Sequence, residues 1–171
     1  GKWTVSGKDC KGNRFTIPAT VPGCIHTDLQ TAGIIGDFYW RENSRDVQWI
    51  EREDFVYSKS FSVDTTEENS YLEFDGLDTY CDIFLNGRCI GSAEDMFIRH
   101  EFAVDGILVK GENLLEVKFR SAVNEVAQKP LKPAAFTAER LNTRRIQCTY
   151  GWDWVDRFVT VGIFRDVRLV S

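Results

Sequence analysis

Apolar and polar residues alternate with a period of two along much of this chain, and that rhythm predicts β-strands. Between residues 55 and 63, Phe55, Tyr57, Phe61 and Val63 fall on one face, with Val56, Ser58, Ser60 and Ser62 on the other. One face of such a strand is expected to meet a core and the other to stay polar. The alternation recurs in Leu72 and Phe74, in Cys81, Ile83 and Leu85, and in Ile163, Val167 and Leu169. It is also clear in Leu115, Val117 and Phe119 set against Glu116, Lys118 and Arg120. Asn86-Gly87 predicts a tight hairpin, because both central residues of that turn need positive φ. Lys110-Gly111-Glu112-Asn113 is expected to break the chain before a strand that starts at Leu114. The sheets should be largely antiparallel.

Helical spacing is scarce. Cys24 to Thr31 follows Pro22-Gly23, places Ile25 and Leu29 four apart on one face and stops near Gly33, so it predicts one short helix, expected as a lid. The segment from Val123 to Asn142 carries Lys129-Pro130 and Lys132-Pro133 and is expected as one long loop. Alternating strands, an aromatic content of 13% and no succession of long helices exclude an α/β fold and predict an all-β jelly-roll sandwich.

Composition narrows the function classes. With 171 residues, 43% of them apolar, the chain predicts one hydrophobic core and a single domain over residues 1–171. Lysine and arginine total 21 against 26 acidic residues, a formal charge of −5, which argues against nucleic acid or an anionic membrane as partner. No apolar run approaches the ~18 residues of a membrane span. The five cysteines (Cys10, Cys24, Cys81, Cys89, Cys148) include no Cys-x-x-Cys pair and no neighbouring histidine at metal spacing. They are expected to be free, small apolar core residues, and neither metal nor cofactor is expected.

Catalytic signatures are missing: there is no Gly-x-Ser-x-Gly elbow, no phosphate-binding glycine loop and no His-Glu-x-x-His. His26 and His100 are the only histidines and receive no role. The acidic runs Glu51 to Asp54 and Glu67-Glu68 flank strands and are expected to be solvated edges. Aromatic residues, however, crowd the carboxyl end: Tyr150, Trp152, Trp154, Phe158 and Phe164, with Asp153 between the two tryptophans. A sugar offers apolar C–H faces that stack on indole and hydroxyls that donate to a carboxylate, so this set could hold carbohydrate. In the competing arrangement Trp152 and Trp154 fill the core while Asp153 points outward to Arg144, Arg145 or Arg157. Composition alone favours the second, and both stay open.

Order along the whole chain adds more than any one motif. Ala19-Thr20-Val21-Pro22-Gly23 precedes His26, Asp28-Leu29 and Gly33-Ile34; Phe38, Asn43, Trp49 and Tyr57 follow. Then come Phe74-Asp75-Gly76-Leu77-Asp78-Thr79, Leu85-Asn86-Gly87, Met96-Phe97 and Gly111-Glu112-Asn113. The set closes on Tyr150-Gly151-Trp152-Asp153-Trp154 and Gly162-Ile163-Phe164. This ordered set resembles the amino-terminal domain of glycoside hydrolase family 2 enzymes, and the Gly-Trp-Asp-Trp run is most similar to β-mannosidases. The resemblance implies a galactose-binding-like jelly roll that precedes immunoglobulin-like and barrel domains absent from this chain. Two glutamates of that barrel would perform retaining hydrolysis, and the present chain alone would be inactive. It also implies a β-mannoside-like carbohydrate partner and a periplasmic, secreted or lysosomal setting, although the residues themselves fix no compartment. The implied substrate contacts are Asp153, on hydroxyls of the terminal sugar, with Trp152 and Trp154 shaping the wall, and Asp95 nearby. The family usually shows Asn-Met-Phe where this chain has Asp95-Met96-Phe97, which removes two donors and adds a charge. It usually shows Gly-Pro-Arg where this chain has Val155-Asp156-Arg157, which alters the turn after Trp154. A stand-alone carbohydrate-binding module and a ligand-free docking sandwich are the alternatives.

Overall fold

The computed structural model describes residues 2–130 and 137–171. Six strands form the larger sheet, every neighbouring pair antiparallel: β1 (Trp3–Lys8), β2 (Arg14–Ala19), β3 (Phe55–Val63), β6 (Cys81–Leu85), β7 (Arg88–Ala93) and β9 (Gly111–Phe119), in the order β2-β1-β3-β9-β6-β7. A second sheet of three, β11-β4-β8, is built from β4 (Tyr71–Phe74), β8 (His100–Ala103) and β11 (Val167–Val170). Between them in sequence, β5 (Leu77–Asp78) pairs with β10 (Gly162–Ile163). The chain is an all-β sandwich.

Register explains the core. Tyr57 and Ile83 both stand opposite Val117, and Phe55 and Cys81 both stand opposite Phe119, so central strand β9 is flanked on one face by apolar neighbours from two sides. Tyr57, Ile83, Leu85 and Val117 are fully buried and meet Leu72 and Phe74 of the opposite sheet. Each such side chain contributes ~1.5–3 kcal/mol by leaving water. Asn86 (φ 52°) and Gly87 (φ 78°) make the expected β6–β7 hairpin, and the Asn86 amide also donates to the Ile107 carbonyl at 2.9 Å.

Several expectations are corrected. Strands β1 and β2 were not predicted. Trp3 and Val5 face the core, but β2 is an edge strand carrying Pro18, and its outward positions are exposed. The last alternating run is two strands, because Phe164-Arg165-Asp166 interrupts it and Leu169 is exposed. Strand β9 begins at Gly111, three residues before Leu114, paired with Val63. Its turn is closed upstream by the Asn113 side chain, which donates to the Val109 carbonyl at 2.7 Å. The described residues hold three short α-helices, not one: α1 (Ile25–Thr31), α2 (Asn43–Asp46) and α3 (Ala122–Ala127). Helix α3 occupies the start of the segment expected as a loop; Ser121 caps it by accepting from the Asn124 N–H, and Ala122, Val123 and Val126 face inward. The Lys132-Pro133 part of that segment lies outside the described residues.

Helix α1 is framework and not a lid. Ile25 and Leu29 are fully buried in the main core. The Asp28 carboxylate accepts from the Thr20 N–H at 2.9 Å and from the Tyr57 hydroxyl at 3.2 Å. Just ahead of the helix, Gly23 N–H donates to the Ile163 carbonyl (2.9 Å) and Ile25 N–H to that of Val161 (2.8 Å), lacing it to β10. All five cysteines are free, yet only Cys81 is buried; Cys10 and Cys89 are exposed, because they sit at a turn and on edge strand β7.

Candidate functional site

A second, smaller core lies under one end of the sandwich. It joins Tyr80, the inward face of α3, Tyr150 and Val159. On this base rest the irregular residues from 137 to 161, and their order comes from long-range polar contacts, not from ladders. Arg145 is fully buried, and its Nη2 donates to the Asp78 carboxylate (3.0 Å) and to the carbonyl and hydroxyl oxygens of Thr160 (3.1 and 3.0 Å). His26 is buried beside it, its ring edge-on to Phe38 and Phe158 at 5.7 and 5.8 Å. Burial, and then the Arg145 charge, push the His26 imidazole down to about 4 from 6.5.

Glu51, expected at a solvated edge, is buried instead, because Arg157 reaches it with two nitrogens: Nε at 2.7 Å and Nη2 at 3.1 Å. Arg157 also donates to the Tyr150 carbonyl at 3.4 Å and lies over the Tyr150 ring. Its own carbonyl accepts from the Gln48 amide at 2.8 Å. The loop that carries the tryptophans is thereby held at both ends. Gly151 enters it with φ of +93°, a conformation that suits glycine, and the Trp152 N–H closes it on the Val155 carbonyl at 3.0 Å. Val155 sits outside the positive-φ region, so Val155-Asp156 in place of Gly-Pro is accommodated without strain there.

The loop projects its side chains outward. Trp154 is 71% exposed and Trp152 partly so, with ring centroids 5.6 Å apart and planes inclined by 50°. Arg140 lies over the other indole, 4.7 Å from the Trp152 centroid. Asp153 is exposed between them and has no hydrogen bond or ion pair among the described residues. The arrangement with both indoles in the core is therefore overturned. The three arginines considered for Asp153 are engaged elsewhere: Arg144 by Asp95, Arg145 by Asp78 and Arg157 by Glu51.

Trp152, Asp153 and Trp154, with Val155, Asp156, Phe158 and Tyr39, line an open cleft of about 460 Å³. Tyr39 is 73% exposed and packs on Phe158 at 5.4 Å. Sequence reasoning missed it, although Phe38-Tyr39-Trp40 was a visible signal. Three consecutive aromatics cannot all face one core, so at least one had to be presented to solvent. Asp95 does not line this cleft. Its carboxylate accepts from Arg144 Nε at 3.0 Å and from the Phe97 N–H at 2.8 Å, and its carbonyl meets His100 Nε2 at 2.7 Å. The arrangement offers indole and phenol faces beside two exposed carboxylates, Asp153 and Asp156. Such a surface stacks on C–H faces and accepts from hydroxyls.

Comparison with known proteins gives a consistent picture. The family model described as the glycosyl hydrolase 2 galactose-binding domain-like domain matches residues 3–165. A β-mannosidase of Capra hircus is 35% identical over 99% of this chain and 21% of its own length. β-Mannosidase A of Emericella nidulans is 32% identical over 99% of this chain and 19% of its own. Among solved structures, the β-D-mannosidase of Dictyoglomus thermophilum superposes with a TM-score of 0.86 at 40% identity, covering 99% of this chain and 22% of that one. An exo-chitosanase of Amycolatopsis orientalis, at 17% identity and a TM-score of 0.66, shares the fold. The chain thus spans about a fifth of the length of the curated relatives it matches.

Proposed function

Since the chain belongs to the glycosyl hydrolase 2 family, as its galactose-binding-like amino-terminal domain, we propose that it is the non-catalytic wall of the active site in a β-mannosidase-like, retaining, exo-acting glycoside hydrolase. The barrel that follows it would supply both catalytic carboxylates, held about 5 Å apart. The wall is the cleft at Gly151–Val155. One observation carries this reading: Asp153 is an exposed carboxylate, without a hydrogen bond or ion pair among the described residues, set between the half-buried Trp152 and the exposed Trp154. An exposed carboxylate beside two indoles, with Arg144, Arg145 and Arg157 engaged by other acids, suits an external donor such as a pair of sugar hydroxyls. Trp152 and Trp154 would present their faces to the ring, with Tyr39 opposite. Asp95 joins the same end of the domain as the holder of the exposed Arg144 guanidinium, in place of a direct sugar contact.

Steady-state kinetics of the enzyme with its downstream domains test the assignment. Replacing Asp153 with Ala should lower kcat/KM on a β-mannoside by ~2–4 kcal/mol of transition-state stabilisation. Unchanged kinetics would remove Asp153 from the site. A second reading, a self-sufficient carbohydrate-binding module, draws on the same aromatic cleft, lined by Tyr39, Trp152, Trp154 and Phe158. Calorimetric titration of the 171-residue chain with mannosides separates the two. Binding tighter than about 1 mM supports the module, and no binding supports a half-site completed by the barrel.

A further inference from the structure

From the geometry beneath the tryptophan loop we infer that Arg157, held by Glu51, is the positioning residue that aims Trp152, Asp153 and Trp154 into the cleft. The purpose of this clamp rests on the sugar-binding reading above; its existence does not. Four observations converge on it. Glu51 closes the short 3₁₀ turn Gln48–Arg52, which packs against α3, and so belongs to the body of the domain. Arg157 grips that carboxylate with two nitrogens in the fork geometry that a lysine cannot reproduce. The same guanidinium donates to the Tyr150 carbonyl at the loop's entrance, while the Arg157 carbonyl is tied to Gln48 at its exit. Finally, the Arg157 guanidinium lies over the Tyr150 ring, 5.2 Å from its centroid, which anchors the loop's entrance to the smaller core.

The loop's backbone is closed by the Trp152 N–H on the Val155 carbonyl and, at its base, by the Phe158 N–H on the Thr149 carbonyl at 2.9 Å, whereas Asp153 and Trp154 at its tip make no hydrogen bond to the body of the domain among the described residues. The Arg157–Glu139 contact, at 3.8 Å, is a weaker third attachment. Two indoles 5.6 Å apart at a fixed inclination also give the loop a built-in reporter, because coupled tryptophans produce an exciton couplet in the ultraviolet circular dichroism.

The experiment uses the 171-residue chain, with the couplet defined as the difference between the wild-type spectrum and that of Trp154→Phe. Arg157→Met and Glu51→Gln should each reduce it by at least half. The double variant Glu51→Met with Arg157→Met leaves no orphaned charge and should lose as much as either single change while still unfolding cooperatively. A couplet that survives at full amplitude in Glu51→Gln and in the double variant overturns the clamp, and this holds even where Arg157→Met alone fails to fold. In the enzyme with its downstream domains, Arg157→Met should also depress kcat/KM on 4-nitrophenyl β-mannoside by up to about 100-fold, the cost of about an ångström of misplacement. A lost couplet with unaltered kinetics upholds the clamp and removes the sugar-binding reading.

Discussion

Acid should loosen this domain through one residue, His26. The imidazole is buried, its Nδ1 has no hydrogen-bond partner among the described residues, and it stands among Phe38, Phe158 and the Arg145 guanidinium. Its proton affinity falls from 6.5 in the unfolded chain to about 4 in the fold. Between those values the unfolded state binds the proton and the folded state does not, so stability declines as pH falls from about 6.5 to about 4 and is level above that window. A displacement of this size at about 1.4 kcal/mol per pH unit amounts to ~3 kcal/mol. With a urea dependence of about 2 kcal/mol/M for a chain of this size, the unfolding midpoint should drop by about 1.5 M across the window. Asp28, on the same helix, acts the other way: burial, opposed by bonds from Thr20 and Tyr57, raises its carboxyl, so its proton adds stability as pH falls. The comparison must therefore be made with His26→Leu, in which Asp28 and every other carboxyl remain. Urea titrations at several pH values should give a steeper acid loss for the wild type than for His26→Leu, by ~3 kcal/mol in total. Parallel curves for the two proteins would refute the assignment.

Other outcomes follow from the same contacts. Arg145→Met leaves the Asp78 carboxylate buried beside Thr160 without its cation, and should cost about 3–5 kcal/mol in chemical denaturation. Trp154→Ala removes a side chain that is 71% exposed, and should alter stability by no more than about 0.5 kcal/mol while lowering mannoside affinity in the complete enzyme. Cys10 and Cys89 should react with an aromatic disulfide reagent in the native protein, and Cys81 only after denaturation, since burial, and then the Asp82 charge, push its thiol up to about 12.

Legibility in the sequence followed the range of the forces involved. Strands β3, β6 and β9 were plain because burial on one face and exposure on the other impose the alternation directly. Strand β2 was hidden because an edge strand with Pro18 has little to bury. The site end was harder still, since no periodicity governs residues 137–161. Glu51 looked like surface until Arg157, 106 positions away, was brought to it, and Arg145 looked available until it met Asp78, 67 positions away. The tryptophans were legible as chemistry but not as location. Their size argues for the core, whereas the four-residue loop from Trp152 to Val155 turns them outward.

The hydrogen bonds that lace Gly23 and Ile25 to residues 163 and 161 have a consequence for how the chain is made. The approach to α1 finds its backbone partners only in the last tenth of the chain, and β4 gains β11 only there. Contacts of such separation form late, because closing the intervening chain must precede any reward from the contact. During synthesis the first hundred and sixty residues therefore leave the ribosome with their outer sheet open-edged and their first helix untethered, in need of protection from neighbouring chains. Residues 161 to 170 thus complete the domain from its far end, joining both the approach to α1 and the edge of β4.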